Sequence, residues 1–167
     1  MRHEKVDGML KAYRFDVGRC GHLQTEIARL KKDIAHAMET LVQEAATVPS
    51  GRISGMPRGT TVGNPTERTA VLLASGWVPD TVKEMQQELK TLQIEFAERN
   101  FTVLFVSSWL QGLAGRERWI IEHQVIDGET WREIGTSFRI AFGEAMSKDS
   151  LKRLKWRALQ KVYRMAE

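Results

Sequence analysis

One cysteine, Cys20, in 167 residues leaves nothing for an internal disulfide to join, and a reducing, cytoplasmic setting is expected. Long apolar runs are missing too. The longest, Phe101 to Leu110, is broken by Thr102, Ser107 and Ser108 and falls well short of the roughly 20 residues that span a bilayer, so no membrane partner is expected. The start, Met1-Arg-His-Glu-Lys, leads into charged helical sequence without an apolar core segment, so no secretory signal is expected. Period-two alternation and Asn-Gly hairpin turns are lacking, which argues against a sheet and for an all-α fold. Catalytic patterns are equally scarce. The four histidines (His3, His22, His36, His123) are scattered, and no Cys-x-x-Cys, His-Glu-x-x-His or Gly-Lys-Thr string occurs. Cys20 and His22 stand close together but lack the further ligands zinc needs. No two carboxylates are placed as acid and base. The expectation is a non-enzyme with no metal and no cofactor.

What remains is helical sequence of ordinary globular composition, 42% hydrophobic and 28% charged. Residues 1–46 are expected to form one long helix. Leu10, Tyr13, Val17, Cys20, Leu23, Ile27, Leu30, Ile34, Ala37 or Met38, and Leu41 recur at the seam spacing of a helical pair, although Gly18 and Gly21 weaken the helix locally. Residues 47–64 collect Pro49, Gly51, Gly55, Pro57, Gly59 and Gly63 and form a connecting loop. Residues 65–112 are expected to pack on the first helix. Within them a helix starts after Asn64, which caps it, with Pro65 in its first position, and ends near Ser75-Gly76. Another starts near Pro79-Asp80 and carries Val82, Met85, Leu89, Leu92, Phe96, Phe101, Leu104, Phe105 and Ser108. The arrangement expected is an antiparallel helical hairpin or coiled coil. The seam of the first helix has two partners open to it, the Val82 to Phe96 face of the same chain or a second chain in a homodimer.

Residues 113–167 hold three shorter helices. Arg116 to Ile126 comes first. Asp127-Gly128 is a turn, and Thr130-Trp-Arg-Glu133 matches the capping box that opens a second helix. The third, Ser147 to Glu167, is amphipathic: Leu151, Leu154, Ala158, Val162 and Met165 share one side. Its other side carries Lys148, Lys152, Arg153, Lys155, Arg157, Lys161 and Arg164 against Asp149 and Glu167, a surplus of five positive charges in a chain whose total is +4. All other residues therefore sum to about −1. Such concentration is the footprint of a phosphate-binding surface. A capped helix bracing a basic one is the order of a helix-turn-helix, whose last helix enters the major groove by its N-terminal residues. Trp119 and Trp131 are expected in the core of this small module.

The strings Leu113-Ala-Gly-Arg-Glu-Arg-Trp-Ile-Ile, Asp127-Gly-Glu-Thr-Trp-Arg-Glu-Ile-Gly and Ser150-Leu-Lys-Arg with Ala158-Leu resemble region 4 of sigma factors. With Ser54-Gly-Met-Pro-Arg-Gly59 and Asn64-Pro-Thr-Glu-Arg68, the chain more closely resembles the phage RinA/ArpU-type late transcription regulators. The resemblance implies a sequence-specific DNA-binding activator of phage or prophage late genes, acting in the cytoplasm of a bacterial host cell. Its partners are double-stranded DNA and RNA polymerase. This chain departs from the pattern by extra residues, roughly Arg139 to Met146, before the basic helix. Either the middle helix runs on through Phe142, or Gly143 ends it and a longer loop follows.

The DNA-facing residues expected are those of the basic helix that point away from its apolar stripe. Lys148, Asp149, Lys152, Arg153 and Trp156 reach base edges. Lys155, Arg157 and Lys161 meet phosphates. Ser147 and Ser150 compete for the N-cap, where either donates to a phosphate. Two other classes fit the same residues. One is a DNA-packaging subunit resembling a small terminase, which a ring-shaped oligomer would mark. The other is a helical protein-interaction module without DNA binding, its basic face docked on an acidic protein. Substituting Arg153 is expected to erode sequence preference, and substituting Lys161 to weaken all DNA alike with a salt slope flatter by about one.

Overall fold

The computed structural model describes residues 3–46 and 76–167, and the chain is all-α: no strand occurs among the described residues. The loop at 47–64, with Arg52 and Arg58, and the helix expected after Asn64 lie outside them. Helix α1 runs His3–Ala46, 44 residues. It continues unbroken through Gly18 and Gly21. A Cβ at either would meet nothing within 4 Å, so these glycines lower helix propensity without opening a gap in the packing. Helix α2, Asp80–Gln111, is 32 residues long. The Pro79 carbonyl accepts from Val82 N–H and Lys83 N–H at 3.0 Å each, and Asp80 places its charge in the first turn, at the positive end of the helix dipole.

The chain divides into two compact units, Leu23–Ile94 and Met1–His22 with Glu95–Glu167. In the first, Leu23 and Val82 are buried while Ile27, Leu30, Ile34, Leu41, Met85, Leu89 and Leu92 are half-buried. The second also contains three shorter helices: α3 (Gly115–Ile120), α4 (Trp131–Phe142) and α5 (Lys148–Met165).

The seams differ from the expected ones in two places, and one physical cause covers both. On α1, Val17 is 43% exposed and Asp16 takes the inward position between Tyr13 and Cys20. On α2, Phe101, Leu104 and Phe105 are exposed, and Val106, Trp109 and Leu110 are buried instead. Continuing the helical period from Phe96 leads to Arg99, Val103, Val106 and Leu110, so the inward stripe passes through a charged residue on each helix. The two meet: Arg99 Nη1 lies 2.7 Å from Asp16 Oδ1, and Arg99 Nε lies 2.9 Å from Glu95, which also receives Arg19 at 3.1 Å. These guanidinium hydrogen bonds, from Arg19 and then Arg99, hold the Glu95 carboxyl below the usual carboxylate range. An apolar pattern search steps over such positions because their burial depends on a partner of opposite charge.

Below this network lies one apolar core. Val6 and Leu10 of α1, Val106, Trp109 and Leu110 of α2, and Leu113 after it pack with residues from all three short helices. Helix α3 passes directly into a π-helical turn, Ile121–Ile126, where the Asp127 N–H donates to the Glu122 carbonyl five residues back at 2.9 Å. The wider turn aligns residues five apart, and Ile121 and Ile126 are both buried. Gly128, at φ 73°, makes the turn that follows. Helix α4 turns Ile134 and Phe138 inward. Trp119 meets Phe138 edge-on at 5.3 Å and Phe142 at 5.9 Å, and stacks on His123 at 4.1 Å. Replacing Phe138, 1% exposed, with Ala should destabilise this unit by about 3–5 kcal/mol, read as a lowered urea midpoint at unchanged slope.

Candidate nucleic-acid interface

Local sequence sets the start of both helices that carry the candidate surface. At α4, the Glu133 carboxylate accepts from Thr130 N–H at 2.7 Å and the Thr130 hydroxyl accepts from Glu133 N–H at 3.4 Å, the reciprocal capping box. The backbone donor at Thr130 holds the Glu133 carboxyl below its ordinary range. At α5, Ser147 is the N-cap, its hydroxyl accepting from Ser150 N–H at 3.2 Å, with the two hydroxyls 2.9 Å apart. Asp149 at the start and Arg164 at the end of α5 match the helix dipole.

Between them, α4 runs on to Phe142 and Gly143 ends it at φ 71°, its N–H donating to the Arg139 carbonyl at 2.9 Å. This left-handed position suits a residue without Cβ. The connection to α5 is tied down. Glu144 pairs with Arg116 of α3 at 2.8 Å, the Arg116 guanidinium sits 5.8 Å from the Phe142 ring centre, and Met146 packs against the core.

Helix α5 buries Leu151, Leu154, Ala158 and Val162. Met165 continues the stripe but is 41% exposed, with its sulfur against the backbone of Gly112. The opposite side carries the cations. Lys148, Lys152, Arg153, Arg157 and Arg164 are exposed, and none of them forms an ion pair among the described residues. Asp149 is exposed, Ser150 half-buried, and Trp156 is 64% exposed between these cations.

Two of the candidate phosphate ligands sit differently. The Lys161 ammonium lies 2.7 Å from Glu117, whose side chain is only 12% exposed and also accepts from Ala114 N–H at 3.3 Å. Glu117 thus closes the start of α3 and anchors α5 with one carboxylate. Lys155 is half-buried, 5.8 Å from the Trp131 ring centre. Desolvation lowers its pKa, an effect that Asp7 opposes and Lys11 reinforces. Trp131, like Trp119, packs against the core.

Sequence reasoning did not single out Arg132 and Arg139. Both are exposed on α4 with no ion pair among the described residues, and they add positive charge beside the braced helix. Their signal was available in the capping box, which fixes α4's register and therefore its outward positions. By contrast Arg14, Arg116 and Arg118 are held by Asp127, Glu144 and Glu122 at 2.9, 2.8 and 2.8 Å.

No group of three or more His, Cys, Asp or Glu side chains is placed to hold a metal ion among the described residues, and no helix among them is long and apolar enough to cross a membrane. Cys20 is buried, and burial pushes its thiol up. The chain matches no family model, no curated protein and no solved structure.

The C-terminal half of α5 is fastened to the start of α1. Tyr163 stacks on His3 at 4.0 Å and donates its hydroxyl to Asp7 at 2.8 Å. Burial, then the bond to Asp7, pushes the Tyr163 phenol up to about 12. Since the folded state holds this proton more tightly than an unfolded phenol at about 10, the contribution to stability is complete below about pH 10 and disappears as pH rises toward 12. In an alkaline absorbance titration, Tyr163→Phe should delete the late phenolate step near pH 12.

Proposed function

We propose that this chain is a sequence-specific DNA-binding transcription regulator, an activator of phage or prophage late genes, working without cofactor or catalysis. Helices α3, α4 and α5 act as a sigma region 4-like helix-turn-helix, with α4 bracing α5 in the major groove. The longer helices form an antiparallel hairpin that self-associates or contacts RNA polymerase. The observation that carries this reading is the uneven treatment of cations within one compact unit. Arg14, Arg19, Arg99, Arg116 and Arg118 are each neutralised by a carboxylate, whereas five exposed cations on the outward side of α5, with Arg132 and Arg139 of α4, have no ion pair among the described residues. A face serving only solubility mixes signs. A face with so large a surplus of positive charge raises the local concentration of a polyanion.

In this reading Lys148, Lys152 and Arg153 meet base edges, and Asp149 accepts from a cytosine amino group. Arg157 and Arg164 contact phosphates, and the Ser147 and Ser150 hydroxyls border the α5 N-terminus, where the dipole favours a phosphate. Lys155 and Lys161 support the helix from its sides, one over Trp131 and the other on Glu117.

The test is fluorescence anisotropy on duplexes selected from random DNA, at rising salt. The two phosphates met by Arg157 and Arg164 give a slope of log K against log salt of about −2. Arg157→Ala should flatten it by about one for every sequence, and Lys161→Ala by less, because Glu117 already compensates that charge. Arg153→Ala should cost about 1–3 kcal/mol at one base pair and leave the others unchanged. Absence of binding at low salt would remove the proposal.

A further inference from the structure

Trp156 is the one side chain on the outward side of α5 that a charged surface does not explain. We infer that it reads the C5-methyl group of thymine in the major groove, an assignment that rests on the DNA-binding reading above. The indole is 64% exposed, and no ring or cation contact to it occurs among the described residues. Its position is set by the helix period. Asp149, Arg153 and Trp156 follow at steps of four and three and so share a ridge. That ridge is turned away from Leu151, Leu154, Ala158 and Val162, which are buried.

Around the ring stand Lys152, Arg153 and Arg157, all exposed. Their charge favours a polyanion over an apolar protein groove as the occupant of this face. The floor of the major groove offers polar base edges and a single apolar feature, the thymine methyl. A wide apolar ring among cations, on the helix side that faces the groove, is complementary to that feature. The rise from Arg153 to Trp156 is about 4.5 Å, little more than the 3.4 Å spacing of bases along one strand. The methyl therefore belongs to a base pair within two steps of the one that Arg153 contacts.

The same methyl occurs on 5-methylcytosine, and the experiment separates the two sources. Using the full chain and a duplex selected from random DNA, each thymine is replaced in turn by uracil, which removes only the methyl. Each cytosine is replaced in parallel by 5-methylcytosine. The expected result is a loss of affinity of about fourfold, the factor for one buried methyl-sized group, at one thymine within two steps of the base pair whose contribution depends on Arg153. Trp156→Ala should bind thymine and uracil duplexes equally, and Trp156→Phe should keep part of the difference. Equal binding of uracil and thymine duplexes by the unsubstituted protein overturns the assignment. So does a uracil penalty that persists in Trp156→Ala, or a gain on 5-methylcytosine without a loss on uracil. Failure to bind any duplex defeats instead the DNA-binding reading on which it rests.

Discussion

The burial of four residues on one side of α5, Leu151, Leu154, Ala158 and Val162, is the constraint from which the candidate surface follows. A helix of 18 residues has no stable orientation of its own; packing its apolar stripe supplies one. Once that stripe is spent on the core shared with α1, α2, α3 and α4, Lys148, Lys152, Arg153, Arg157 and Arg164 of α5 face solvent. Their direction is thus a by-product of hydrophobic burial. Electrostatics alone would spread them apart without aiming them.

Polar contacts then remove the remaining freedom. Glu117 holds Lys161, Asp7 holds Tyr163, and Glu144 with Arg116 fastens the connection that leads into α5. An exposed ion pair such as Arg116–Glu144 contributes little to stability. The effect of these contacts here is on geometry, since two join α5 and its lead-in to α3 and the third joins α5 to α1. The use made of Lys161 shows how the same residue type serves two ends: one cation is taken for anchoring, and Lys152, Arg153 and Arg157, on the same helix, stay unpaired among the described residues. For a surface proposed to read DNA, such fixing matters, because base-edge contacts discriminate only when the donor is held at a set angle and depth.

Much of the C-terminal organisation was legible in the residues. Thr130 and Glu133 marked the start of α4, Asp127-Gly128 the turn before it, and the three- and four-residue recurrence of Leu151, Leu154, Ala158 and Val162 the inward side of α5. These signals are local, each set by neighbours within a turn or two of helix. The π-helical turn at Ile121–Ile126 was not legible, because it is chosen by the need to bury Ile121 and Ile126 together. Nor were the seam positions of Asp16 and Arg99, where a charge is buried only because its partner arrives from the other helix. The seven cations of α5 look alike in a string of letters. Their separation into exposed, anchored and half-buried sets depends on Glu117, Trp131 and Asp7, residues far away along the chain.

Taken alone, the amino-acid order determined the helical class, the caps and the charge asymmetry of the C-terminal end, since all three arise from propensities and spacings shorter than about one helix. The tertiary structure decided which polar groups are spent internally and which remain available, for that depends on the pairing of distant segments.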